Sequence, residues 1–64
     1  MATDSTGKPI RPGDRVLFRG REYTITRLRP REGRYGTCGI DFDMVPHTDE
    51  PADEVNVDLV SRGQ

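Results

Sequence analysis

The amino-acid sequence predicts a small all-β domain, a five-stranded antiparallel barrel with a flexible N-terminal tail. Three observations lead there. Short runs rich in β-branched and aromatic residues alternate apolar with polar positions. Turn signals built on glycine and proline separate those runs, and no apolar pattern of helical period persists for about ten residues. Four such strands sharing one apolar face also need closure, because an open sheet of this size leaves its core wet and its edges unpaired.

Residues 1–9 are polar and small and are read as the flexible tail, with the barrel domain over residues 10–61 and a second short tail at 62–64. Arg11-Pro12-Gly13-Asp14 is a turn signal, since proline presets φ and glycine is free to take a positive one. It leads into the first strand, Arg15-Val16-Leu17-Phe18-Arg19. Gly20-Arg21 then has the Gly-X chemistry of a two-residue type II′ hairpin. That turn would pair Arg19 with Glu22, Phe18 with Tyr23, Leu17 with Thr24 and Val16 with Ile25. Val16, Phe18, Tyr23 and Ile25 then share the apolar face, opposite Arg15, Leu17, Arg19, Glu22, Thr24 and Thr26. Leu28 breaks the parity set by Ile25, so a bulge or sharp bend is expected around Thr26 and Arg27.

Arg29 to Gly36, punctuated by Pro30, Gly33 and Gly36, reads as a loop. A third strand follows at Thr37–Phe42 with Cys38, Ile40 and Phe42 on one face. Asp43–Asp53, holding Pro46 and Pro51, reads as a long acidic loop, and Glu54–Val60 as a fourth strand with Val55, Val57 and Leu59 inward. The fifth strand would come from Ile10 and its neighbours or from a segment beside Val45. The expected core is Ile10, Val16, Phe18, Ile25, Leu28, Cys38, Ile40, Phe42, Val55, Val57 and Leu59.

Composition narrows the function classes. A chain of 64 residues buries only ~60% of its unfolded surface, which leaves little room for a large enclosed active site. With 31% apolar and 33% charged residues, the fold depends on placing its few apolar side chains on one side. Cys38 is the sole cysteine, so neither an intrachain disulfide nor a cysteine zinc cage forms within one chain, and a cytoplasmic setting is expected. No apolar run is long enough to span a bilayer, and the opening residues lack the basic and apolar blocks of a secretory leader. A non-catalytic, monomeric module with no membrane association, cofactor or metal is the expectation.

Charge is divided along the chain. Through Tyr35 there are nine basic residues against four acidic ones; from Gly36 onward only Arg62 is basic, against seven carboxylates. Nine of the ten basic residues are arginine, whose planar fork suits phosphate or carboxylate. Arg27, Arg29, Arg31, Arg34 and Tyr35, supported by Arg15, Arg19 and Arg21 on the outer face of the first hairpin, form the one constellation above background. Basic loops with an aromatic for stacking are how small barrels hold single-stranded nucleic acid. The alternative is a protein partner, bound along a sheet edge or by the arginine face meeting an acidic surface. Neutralisation of the two halves across strands is the competing structural explanation.

Other candidates are weaker. His47 sits near Asp43, Asp49 and Glu50, but one imidazole on an acidic loop is ordinarily solvated. The carboxylates from Asp41 to Glu54 lack the spacing of a calcium loop. Asp41 and Asp43 share a strand face with no pocket to desolvate them, which argues against acid–base catalysis. Cys38, in line with Ile40 and Phe42, is expected to be a buried, unreactive thiol.

The run Pro12-Gly13-Asp14-Arg15-Val16-Leu17-Phe18-Arg19-Gly20-Arg21-Glu22-Tyr23-Thr24-Ile25 resembles the opening hairpin of SH3-like barrels, including KOW and Tudor-like modules. In those families a Gly-Asp pair starts the first strand. The resemblance implies a small barrel whose loops contact RNA, DNA or protein. Tyr23-Thr24-Ile25-Thr26 stands where KOW modules carry a further glycine.

Overall fold

The computed structural model describes residues 1–63 and is all-β, with no helix among them. Its strands are β1 (Arg15–Phe18), β2 (Arg21–Arg29), β3 (Gly39–Phe42) and β4 (Asp58–Ser61). They form one antiparallel sheet in the order β3-β2-β1-β4. The expected five-stranded closed barrel is therefore corrected to an open four-stranded sheet. Of the two segments that were to supply a fifth strand, the one at Ile10 makes only an isolated bridge, Thr3 with Pro9, and the one beside Val45 carries no strand or bridge; a further isolated bridge joins Gly39 to Asp53. Although β3 and β4 are opposite edges, the chain passes from the bridge at Asp53 to the start of β4 in five residues. At ~3.3–3.6 Å per residue this short connection requires a strongly curled sheet.

The β1–β2 turn is Arg19-Gly20 rather than Gly20-Arg21, because Phe18 pairs with Arg21 and Val16 with Tyr23. Arg19 has φ 53° and Gly20 φ 81°. Positive φ at both central positions is the type I′ turn, whose twist matches that of the flanking strands better than a type I or II turn would. The observed register moves each expected partner by two positions, which preserves side-chain parity; a one-residue slip would have exchanged the two faces. Val16, Phe18, Tyr23 and Ile25 accordingly all lie buried.

β2 runs on to Arg29 by absorbing the bulge anticipated at Thr26: the register with β3 shifts between Ile25, opposite Phe42, and Arg27, opposite Asp41. The bulge lets Leu28, opposite Ile40, pack against the core. Thr26 Oγ1 donates toward the carbonyls of Asp41 and Phe42 at 3.2 and 3.4 Å. The core cluster is Ile10, Val16, Phe18, Tyr23, Ile25, Ile40 and Val57, with Ala2, Leu28, Phe42, Ala52 and Leu59 against it. Tyr23 stacks on Phe42 with ring centroids 4.6 Å apart, and Phe18 meets Phe42 at 5.6 Å.

The fourth strand is shorter than expected. Asp53 to Asn56 form a turn instead: Asn56 N donates to Asp53 O and Asp53 N to Asn56 Oδ1, at 3.1 and 2.9 Å. Val55 consequently points outward, 52% exposed, and leaves the core expected of it. Alternation alone misread this segment, because Asp and Asn compete for backbone hydrogen bonds and impose local turns.

Residues 1–9 also differ from a loose tail. Ile10 N donates to Ala2 O and Ser5 N to Val57 O, at 3.1 and 2.9 Å. At the centre of this loop Asp4 is buried, its carboxylate accepting from Thr6 N, Thr6 Oγ1, Lys8 N and, across the fold, Leu59 N, all within 2.9 Å. Asp14 and Asp53 are the other buried polar side chains. Asp14 ties Arg11 N to Gly63 N, at 3.0 and 2.7 Å. A Cβ on Gly63 would come within 2.4 Å of Gly13 O, so glycine is required for that approach. Of the expected C-terminal tail, Arg62 bonds Pro9 O and Asp14, while Gln64 lies outside the described residues. No buried side-chain N or O among the described residues lacks a partner.

Candidate nucleic-acid interface

The loop between β2 and β3 begins with a turn closed by Glu32 N donating to Arg29 O at 3.2 Å. Pro30 and Arg31 are its central residues, and Arg31 has φ 63°. Proline followed by a positive φ is a type II turn, in which glycine is the favoured third residue. A second tight turn follows: Gly33 N donates to Thr37 O and Gly36 N to Gly33 O, at 2.8 and 3.2 Å. Arg34 and Tyr35 stand at its tip.

Buried Asp53 anchors that tip. Its two carboxylate oxygens lie 2.7 Å from the Thr37 hydroxyl, and Oδ1 accepts Val55 N at 3.2 Å. The carboxylate fills the space beside Gly33 so closely that a Cβ there would stand 1.8 Å from Asp53 Oδ2. Gly33 is thus glycine because of close approach, not because of its φ. The anchor leaves Tyr35 74% exposed.

The eight residues singled out in the sequence divide into two groups. Arg15 pairs with Glu22 at 3.2 Å and Arg19 with Glu50 at 3.3 Å. Arg29 Nε lies 3.1 Å from Asp41 Oδ1, and its Nη1 3.8 Å from Glu32. The Arg29 guanidinium lies over Gly39, the residue opposite it on β3, where any Cβ would displace it. Arg21, Arg27, Arg31 and Arg34 are exposed and make no ion pair among the described residues. Charge neutralisation between the halves is therefore partial, taking up Arg19 and Arg29.

Arg34 and Tyr35 line a cleft of about 130 Å³ with Glu50, Pro51, Asp53, Val55 and Asn56. Arg31 and Gly36 line another, on Met1, Leu28 and Cys38. Cys38 itself is buried; burial first, and the neighbouring Glu54 carboxylate second, push its thiol pKa up. Its backbone N donates to Glu54 Oε2 at 2.8 Å. Among the described residues no group of three or more His, Cys, Asp or Glu side chains gathers as a metal site.

Both sheet edges are partly covered by the chain. Beside β3, Ile40 N donates to Ala52 O and Glu54 N to Cys38 O, at 3.1 and 3.0 Å. Beside β4, Leu59 N is capped by the Asp4 carboxylate. The residues that sequence reasoning missed are Asp53, Gly33 and Asn56. The signal for Asp53 and Asn56 was the Asp-Glu-Val-Asn spacing, which carries an Asx turn as readily as a strand; Gly33 gave none, because its role depends on the approach of distant Asp53. No protein-family profile, curated protein or solved structure matches the chain.

Proposed function

We propose that the chain is a small non-catalytic module of SH3-like character that binds single-stranded RNA or DNA through the loop from Pro30 to Thr37 and the arginines around it. The observation that supports this most is the exposed Tyr35, displayed by a turn closed by Gly33 N to Thr37 O and tied through the Thr37 hydroxyl to a buried carboxylate. A preorganised aromatic spends little ordering entropy when a base stacks on it. Arg21, Arg27, Arg31 and Arg34 supply unpaired guanidiniums for phosphate. Arg15, Arg19 and Arg29 have carboxylate partners and serve mainly the fold, each exposed pair contributing about 0–1 kcal/mol.

Recognition of a protein partner through a sheet edge has less to draw on, because both edges already carry backbone or carboxylate partners. The testing experiment is an NMR titration of the labelled chain with mixed-sequence single-stranded RNA and DNA. Binding should map to Pro30–Thr37, Arg27 and Arg21. Each phosphate neutralised adds about −0.7 to the slope of log affinity against log salt, so four arginines give roughly −3. Absence of shifts at low salt would overturn the reading and leave an acidic protein surface as the partner for these arginines.

A further inference from the structure

The polar groups around the Tyr35 cleft are already committed to one another, and this decides what the cleft can read. Asn56 Nδ2 donates to Glu50 Oε2 and Pro51 O, at 2.9 and 3.0 Å, while its Oδ1 accepts Asp53 N at 2.9 Å. Glu50 Oε1 is paired with Arg19 at 3.3 Å. The Asp53 carboxylate holds the Thr37 hydroxyl and Val55 N. What the cleft still offers is the Tyr35 ring, the surfaces of Pro51 and Val55, and the Arg34 guanidinium at its rim.

Resting on the single-strand reading above, we propose that this cleft seats one unpaired nucleobase by its flat face, with the adjoining phosphate on Arg34, and that it does so without reading the base edge. Discrimination between bases needs free donors and acceptors aimed at those edges, and here Asn56, Glu50 and Asp53 are occupied in holding the loop. Stacking on an aromatic ring tolerates any base. The carboxylates of Glu50 and Asp53 also line the cleft, and like charge disfavours a phosphate within it, which leaves the phosphate to the exposed Arg34. A space of about 130 Å³ admits one planar ring. The module is therefore a sequence-tolerant reader of single strands.

Anisotropy titrations of the full chain with short oligothymidylate, oligocytidylate, oligouridylate and a matching abasic strand test this. Thymine and cytosine share ring size but exchange donor and acceptor on their edges. The two strands should bind within about fivefold of each other, the lower end of what an edge-reading contact gives, and the uridylate strand with them. The abasic strand should bind about 5- to 150-fold more weakly, and Tyr35→Ala should remove that difference. A preference beyond about fivefold between thymine and cytosine would overturn the inference, as would abasic binding equal to that of the base-bearing strands. Equal abasic binding would leave phosphate recognition by the arginines intact, whereas no binding of any strand at low salt would sink both readings.

Discussion

The β1–β2 hairpin and the segment from Asp43 to Val57 are stabilised by different physics. In the hairpin, alternation places Val16, Phe18, Tyr23 and Ile25 in the core, and ladder hydrogen bonds pair almost every residue. The later segment contributes Val57 and part of Ala52 to the core. Elsewhere it is held by polar pins: Asp53 to Thr37 and Val55, Asn56 to Glu50 and Pro51. The N-terminal loop around Asp4 follows the same pattern. A chain with few apolar residues can fix its loops by burying carboxylates, provided backbone N–H groups satisfy them, since the desolvation cost is then offset by charge-assisted hydrogen bonds.

The largest test of this contrast is Phe18→Ala. Its ring is fully buried and meets Tyr23 and Phe42. Truncation should cost about 3–5 kcal/mol, enough to unfold most of a domain this small, as denaturant titration would show. A milder loss would mean that the polar pins, not the hairpin core, carry the stability.

Asp53→Ala should act locally. It strips the Thr37 hydroxyl and Val55 N of their acceptor, at a cost of about 1–3 kcal/mol. Hydrogen exchange should quicken at Gly33–Thr37 and Val55 while Val16 to Ile25 stay protected. Global unfolding in step with the loop would erase the distinction between the two regions.

Acid supplies a third, smaller test. Burial raises the pKa of Asp4, but hydrogen bonds from Leu59, Lys8 and Thr6 outweigh it and hold the pKa at about 2, below the ordinary 3.8. A depressed folded-state pKa contributes stability that is full above the unfolded value of 3.8 and is lost as pH falls toward 2. Asp4→Asn should therefore flatten the pH dependence of stability in that window. An unchanged acid limb would show that the N-terminal loop does not hold Asp4 as described.

The hairpin was legible because two independent signals coincided there, period-two alternation and a glycine turn. Even the misplaced turn kept the faces right, since moving the register by two conserves parity. The bulge at Thr26 was readable from Leu28 being out of phase. Beyond Asp43 alternation misled: Val55 and Val57 look equivalent in sequence, yet the turn set by Asp53 and Asn56 sends one outward and the other into the core. The burial of Asp4 and Asp14 was not legible, because burial of a carboxylate depends on donors from distant residues such as Leu59 and Gly63. Of the candidate site, Arg31, Arg34 and Tyr35 were identifiable by composition. Which arginines are paired depends on tertiary neighbours such as Glu50 that no local pattern shows.

The finest division lies within the basic loop itself, between what the fold wants at position 31 and what a ligand would want. Arg31 adopts φ 63° at the third position of a type II turn, where glycine carries no steric penalty. Arg19 is the other non-glycine residue with positive φ, but its pairing with Glu50 gives it a structural use. Arg31 makes no ion pair among the described residues. Arg31→Gly should therefore stabilise the domain by about 0.5–1 kcal/mol, relief of left-handed strain exceeding the entropy that glycine adds to the unfolded chain. The same change removes one phosphate contact, so single-strand affinity should fall and the salt slope shrink by about 0.7. Arg31→Ala separates the effects, removing the charge while keeping the left-handed strain. Stability that drops with Arg31→Gly would show that the side chain packs productively, and affinity that holds would remove Arg31 from the interface.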